Sequence, residues 1–266
     1  MPQYRASSVE TIDVSRSSGV VTVTLNRPAK KNAANAEMWD ELLATFRDIG
    51  SSGQDRVMVL TGAGGEFCAG ADLTGGGTGA PGRHHLAQMR HVGDVALSLH
   101  RLPIPTIAKV RGVAVGAGCN MALGCDLVVA SENARFSEIF ARRGLSIDFG
   151  GSWLLPRIVG MHRAKELALF ADIIDAAEAE RIGLVNRVVP DAEIDEFVAA
   201  WATRLAAGPP IALAMTKRML DNSLQITMEE ALDDEGVAQT VNFATADTVE
   251  AMKAFVEKRE PRFEGR

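Results

Sequence analysis

The first half of the chain alternates short apolar runs with amphipathic stretches; the second half carries little but amphipathic stretches. Val9–Val14 and Val20–Leu25 are β-branched runs on either side of Ser15–Gly19. From Val21 every second residue is apolar, the period of a half-buried strand, so the pair predicts an opening hairpin that Asn26-Arg27-Pro28 ends. Glu37–Ile49 repeats Met38, Leu42, Thr45, Phe46 and Ile49 at helical spacing. Val57–Leu60 is unbroken and apolar, as expected of a strand covered on both faces, and stops at Thr61-Gly62-Ala63-Gly64-Gly65. Gly75–Gly82 predicts a mobile loop. A helix from about His84 to Leu102 follows, closed by Pro103 and Pro105.

Thr106–Val110 and Leu127–Ala130 predict two further strands, with a glycine-rich turn and a short helix near Ala117–Leu123 between them. Beyond Gly151 strands nearly vanish. Helices are expected over Arg163–Phe170, Ala176–Ile182, Ala192–Ala207, Ile211–Asn222, Thr227–Thr240 and Ala246–Lys258. The rhythm predicts an α/β body over residues 1–190 and a helical C-terminal region over 191–266.

Composition narrows the function. Apolar residues make up 47% of the 266 and charged residues 23%, which supplies a sizeable core and excludes bulk disorder. A net charge of −6, with no basic stripe, argues against nucleic acid or anionic lipid as a partner. Cys68, Cys119 and Cys125 cannot pair completely and read as buried small hydrophobes in a reducing compartment. Residues 1–10 lack an apolar signal core and no apolar run is long enough to span a bilayer, so a soluble, cytoplasmic protein is expected. Of the five histidines, His84, His85, His91 and His100 fall in one predicted helix without the spacing of a chelate, so no metal is expected and a solvent-facing position is the reading for them. Neither glycine run carries the Lys-Ser/Thr of a phosphate-binding loop, so NAD and nucleoside triphosphates are unsupported as cofactors.

Two segments share a local logic in which an extended run meets a small-residue turn and a helix begins: Glu66-Phe67-Cys68-Ala69-Gly70-Ala71-Asp72-Leu73 and Gly112-Val113-Ala114-Val115-Gly116-Ala117-Gly118-Cys119-Asn120. The first amides of a helix lack intrahelical partners and sit at the positive end of its dipole. Two such amides converging on one point form an oxyanion hole; each donor can be worth about 3 kcal/mol in a transition state. Tight packing alone would also explain such turns.

These two segments, together with Asn26-Arg27-Pro28, Asn32-Ala33, Thr61-Gly62-Ala63-Gly64 and Gly183-Leu184-Val185, resemble in order and spacing the enoyl-CoA hydratase/isomerase (crotonase) superfamily, over essentially the whole chain. The resemblance implies an α/β spiral of ββα units with a helical C-terminal trimerisation region, an acyl-CoA thioester as substrate, and a homotrimer or dimer of trimers. Coenzyme A is then part of the substrate, and no further cofactor is implied. By motif position the N–H groups of Ala71 and Ala117 are the oxyanion donors. Lys31, Ala33, Ala69, Asp72 and Leu73 fall where the family contacts the nucleotide end of CoA, Val115 lies beside the second turn, and Lys253 and Phe255 resemble tail residues that close over CoA.

Hydratases of the superfamily carry two glutamates where this chain has Asn120 and Phe140, and neither side chain can exchange a proton. Both are retained as substrate-lining positions. Glu138 lies two residues from the second and could supply one carboxylate. Gly144-Leu145-Ser146-Ile147-Asp148-Phe149-Gly150-Gly151-Ser152-Trp153-Leu154-Leu155-Pro156-Arg157 resembles the 1,2-epoxyphenylacetyl-CoA isomerase-like branch, with Ile147 in place of the usual Pro. That implies Asp148 as a proton shuttle and an isomerisation, since one carboxylate suffices to move a proton. A turn or helix cap is the structural alternative for Asp148. Hydration, or acyl-CoA binding with little turnover, are the functional alternatives; a dehalogenase-like use of Asp148 as nucleophile is disfavoured, because Phe140 replaces the expected Trp and His91 is offset. Trp153 reads equally as acyl-pocket lining or as core.

Overall fold

The computed structural model describes residues 11–74 and 84–266; Val9 and the Gly75–Gly82 loop predicted from sequence lie outside the described residues. The chain opens with an antiparallel pair, β1 (Ile12–Ser17) and β2 (Val20–Leu25). The turn is therefore at Ser18-Gly19, and β1 starts later than the apolar run suggests. Only Ile12 of β1 is buried, so this edge strand is set by pairing with β2 rather than by its own pattern.

A 3-10 turn at Pro28–Lys30 leads to α1 (Ala36–Ser51), which Asn35 caps by accepting from the Met38 N–H. Three ββα turns follow. The first holds β3 (Val57–Gly62), an extended bridge at Cys68 and α2 (His85–His100). The second holds β4 (Thr106–Val110), β5 (Val113–Val115) and α3 (Ala117–Leu123). The third holds β6 (Leu127–Ser131), β7 (Arg135–Ser137), a 3-10 turn at Ile139–Arg143, α4 (Gly151–Val159) and α5 (Met161–Phe170). Then come β8 (Ile174–Asp175), α6 (Ala176–Arg181), β9 (Arg187–Val189), α7 (Ile194–Ala206), α8 (Pro210–Asn222), α9 (Met228–Phe243) and α10 (Ala246–Glu257).

Each ββα turn gives its first strand to a six-stranded sheet, ordered β1-β2-β3-β4-β6-β9 and parallel from β2 onward. The second extended piece goes to a smaller layer: Cys68 bridges Ala114, and β5 pairs with β7, which pairs with β8. The main sheet is covered on both sides. Met58, Leu60, Ala108 and Val128 face the larger core with α1 and α2, while Val57, Val59, Ile107 and Val129 meet Ile194, Val198 and Ala202 of α7. This double burial accounts for the unbroken apolar runs. No single helix among the described residues is long and apolar enough to cross a membrane.

The small second layer is the main departure from the sequence reading. β5 and β7 are three residues each, and β5 lies inside what reads as a glycine-rich turn. Strands this short carry almost no periodic signal. Likewise α4 begins at Gly151 and contains Pro156, so its local composition argues against a helix that packing against α3 and α5 nevertheless supports.

Candidate active site

The two small-residue turns lie side by side. Cys68 and Ala114 are parallel partners: the Cys68 N–H donates to Val113 O (2.9 Å) and the Val115 N–H to Cys68 O (3.0 Å). Three residues further along each segment stand Ala71 and Ala117. Glycines set the closeness of approach. A methyl on Gly70 (φ 90°) would lie 2.7 Å from Val115 O and 3.7 Å from Ala117 N, and one on Gly118 would lie 2.3 Å from Cys68 O. Gly116, at φ 56°, turns the chain from β5 into α3, leaving Ala117 as the first helical residue with no intrahelical acceptor for its N–H. On the other side Ala34 bridges Ala71 by donating to Gly70 O (2.8 Å) and accepting from the Asp72 N–H (2.8 Å). In such a parallel bridge Gly70 O and the Asp72 N–H face Ala34, so the Ala71 N–H between them points away from it.

Two carboxyl residues, Glu138 and Asp148, meet α3 at Asn120. Asn120, fully buried, donates through Nδ2 to Glu138 Oε2 (3.2 Å) and to the backbone carbonyl of Asp148 (3.0 Å). The same carbonyl accepts from the Gly151 N–H (2.9 Å), closing a turn whose central residues Phe149 (φ 49°) and Gly150 (φ 80°) are both left-handed. A left-handed Phe costs on the order of 1–3 kcal/mol and persists only where its surroundings enforce it. Here the buried Phe149 ring packs on Trp39, with centroids 5.6 Å apart. Gly151 completes the clamp, since a Cβ there would fall 2.3 Å from Asn120 Nδ2. The Asp148 side chain is thus aimed by a strained turn held at both ends. Burial pushes the Asp148 carboxyl up to about 6. Burial does the same to Glu138, up to about 7, against the lowering effect of Asn120 and Cys119 and with the raising effect of Asp148. Glu138 in turn adds to the burial that holds the Cys119 thiol far above its usual range.

A third group of residues gathers at the rim of the first turn. The Ala69 N–H donates to Lys31 O (2.9 Å), Lys31 Nζ lies 2.8 Å from Glu66 Oε1, and the Arg27 guanidinium holds both the Ala33 carbonyl and Asp72. The Thr74 hydroxyl, with Arg27, keeps the Asp72 carboxyl at about 2. Leu73 is exposed beside them.

The sequence profile of the enoyl-CoA hydratase/isomerase family matches residues 15–266. The chain belongs to that family. A protein named "Probable enoyl-CoA hydratase" from Rhodobacter capsulatus is 41% identical over 260 residues, spanning 97% of this chain and all of that protein. The 1,2-epoxyphenylacetyl-CoA isomerase of Escherichia coli is 37% identical, spanning 93% and 96%. The crystal structure of an enoyl-CoA hydratase from Bacillus anthracis superposes with a TM-score of 0.91 at 32% identity, covering 96% of this chain and all of that one. The family's crotonase fold is therefore the fold of this chain.

Within that fold the structure brings Gly70, next to Ala71, against Ala117, and gathers Asn120 with Asp148 and Glu138, and Lys31, Ala33, Ala69 and Asp72 with one another. Val115 lines the Gly70 contact, and Phe140 packs against the Gly116 turn, where an added methyl would meet its Cζ at 3.6 Å. Lys253 and Phe255 stand apart: both are exposed on α10, which packs against α9. The structure adds to three readings. Asn120, expected to line the substrate site, is fully buried and braces the Glu138 carboxyl and the Asp148 backbone. His91 and His100 are not free surface groups, since His91 Nε2 lies 2.8 Å from Asp40 Oδ1 and His100 packs edge-on against Trp153 at 5.2 Å. Trp153 itself lines a cavity of about 950 Å³ with Leu97, His100, Phe149 and Met215. Sequence reasoning missed Gly151, whose need is visible only once Asn120 occupies its α-carbon face.

Proposed function

We propose that this acyl-CoA enzyme carries out a double-bond or related isomerisation, with Asp148 as the proton shuttle and the N–H groups of Ala71 and Ala117 as oxyanion donors. The observation that carries the reading is Asp148. Its carboxyl is partly buried, its Oδ1 has no hydrogen-bond partner, and its raised acidity range leaves it ionised yet basic near neutrality. With the thioester oxygen between the two amides, Asp148 removes a proton from a carbon conjugated to the carbonyl. The C–H electron pair flows into an enolate whose negative charge the amides share. The same proton returns to another carbon of the conjugated system, so nothing is gained or lost. Coenzyme A enters as part of the substrate, and the chemistry asks for no further cofactor. Lys31, Ala33, Ala69, Asp72 and Leu73 form the rim that would receive its nucleotide end.

Hydration is the second reading, favoured by Glu138, a buried carboxyl able to carry a proton near neutrality, and by the name of the Rhodobacter relative. Against it, the position after Cys119 is an amide engaged with the Glu138 carboxyl and the Asp148 backbone carbonyl. Incubation with a panel of enoyl-CoA thioesters separates the two: isomerisation leaves the mass unchanged, and hydration adds one water. Asp148→Asn in the same assay tests the shuttle, and undiminished turnover removes Asp148 from the mechanism.

The exposed apolar residues of α9 and α10, among them Val237, Val249, Met252, Phe255 and Val256, support self-association into a trimer or a pair of trimers. In that assembly Lys253 and Phe255 could reach the CoA rim of a neighbouring copy. Three buried, unpaired cysteines fit a cytoplasmic location.

A further inference from the structure

Among the described residues, the buried side-chain atoms without a hydrogen-bond partner include Asn120 Oδ1, Glu138 Oε1 and Asp148 Oδ1. All belong to residues joined by one amide group, since Asn120 Nδ2 donates both to Glu138 and to the Asp148 backbone. With both carboxyls ionised, every one of these orphaned atoms is an acceptor, and the Asn120 amide donates to only one of the two charges, its other bond going to the Asp148 backbone. A buried carboxyl so placed takes up a proton rather than carry an unpaired charge. One proton removes one charge and supplies the donor the cluster lacks. It belongs on the more deeply buried group: Glu138 is 2% exposed, whereas Asp148 is partly open.

We infer that Glu138 is a positioning residue that stores a proton beside Asp148 and so keeps Asp148 the single anionic base of the site. The raised acidity ranges of the two groups agree with that order, Glu138 at about 7 and Asp148 at about 6. The titratable groups that act on Glu138 are Cys119 from α3 and Asp148. Charges on the other packed elements are engaged elsewhere or face outward: Arg142 with Asp172, Arg163 with Glu166, Arg157 over the Trp153 ring, and Arg135, Arg143, His162 and Lys165 exposed. When Glu138 ionises, its charge adds to that of Asp148 and opposes the negative charge developing on the thioester, so turnover falls. The inference rests on Asp148 being the base.

The test compares kcat/KM against pH for the wild type and Glu138→Gln, which keeps the shape and the acceptor for Asn120 but cannot ionise. The wild type is expected to show two limbs, rising through about pH 6 and falling above about pH 7, and the variant only the rising one. Superimposable profiles would overturn the proposal. Infrared spectroscopy of the wild type needs no variant: a protonated-carboxyl stretch titrating near pH 7 is expected, and its absence overturns the stored proton even if Glu138→Gln fails to fold. Undiminished activity of Asp148→Asn would instead remove the base while leaving that band in place, so the two failures are distinguishable.

Discussion

Asn120 Nδ2 donates to the backbone carbonyl of Asp148 at 3.0 Å, across 28 residues of sequence. This bond fixes where the Asp148 turn sits relative to α3, and hence relative to Ala117 at the head of that helix. One neutral amide thus ties the acid/base end of the site to its oxyanion end.

Removing the base is the most direct consequence. Asp148→Asn preserves the side-chain shape and is expected to lower kcat by about 10²–10⁴-fold, the usual worth of a general acid–base group. Thermal unfolding should be unchanged or slightly raised, because the replaced carboxyl is partly buried with an unpartnered oxygen. Steady-state kinetics beside a melting curve checks both parts.

Closing the space between the two turns should damage the oxyanion end without touching an ionisable group. In Gly70→Ala the new methyl crowds Val115 O at 2.7 Å and approaches Ala117 N at 3.7 Å, at a φ of 90° that an alanine seldom adopts. Loss of one donor's alignment corresponds to about 10²–10³-fold in kcat. A variant with near-normal kcat and only a lower melting temperature would show that the amides do not stabilise the transition state.

The clamp on the Asp148 turn predicts a third effect. Gly151→Ala drives a methyl into the Asn120 amide at 2.3 Å, so the turn must move away from α3. Stability is expected to drop by about 1–3 kcal/mol, as for other overpacked sites, with kcat falling further than the fraction unfolded explains. Urea denaturation and active-site titration on the same sample separate the two contributions.

Stability should depend on pH in two opposite senses. Glu138 and Asp148 titrate above the ordinary carboxyl values of 4.5 and 3.8, so the fold favours their neutral forms. Their contribution is full below about pH 4 and is lost as pH rises through 6 and 7. Asp72 and Asp195 are held at about 2, the former by Thr74 and Arg27, the latter by Arg111 and Lys109. Their contribution is present above about pH 4 and is lost as pH falls toward 2. The urea midpoint is therefore expected to peak on the acid side of neutrality, and Glu138→Gln should flatten the decline above pH 6. A midpoint still rising between pH 6 and 8 in the wild type contradicts this.

Self-association is testable at Phe255. The ring is 83% exposed on α10, so Phe255→Asp should leave the protomer folded while shifting sedimentation toward smaller species. An unchanged assembly places the contact elsewhere.

Much of this protein is legible in its residues. The unbroken run at Val57–Leu60, the amphipathic spacing of α1 and the small-residue turns at Gly70 and Gly116 follow from local rules, because burial on two faces, helical period and close backbone approach each leave a local mark on residue type. The candidacy of Ala71, Ala117 and Asp148 follows from motif order. What only the tertiary structure decided is how these pieces meet. It placed a three-residue strand inside an apparent turn, turned Asn120 inward as a brace, gave Gly151 its reason, and set Glu138 beside Asp148. None of these could be read along the chain, because each depends on contact between segments separated in sequence, where the identity of one residue is fixed by the space and charge another leaves.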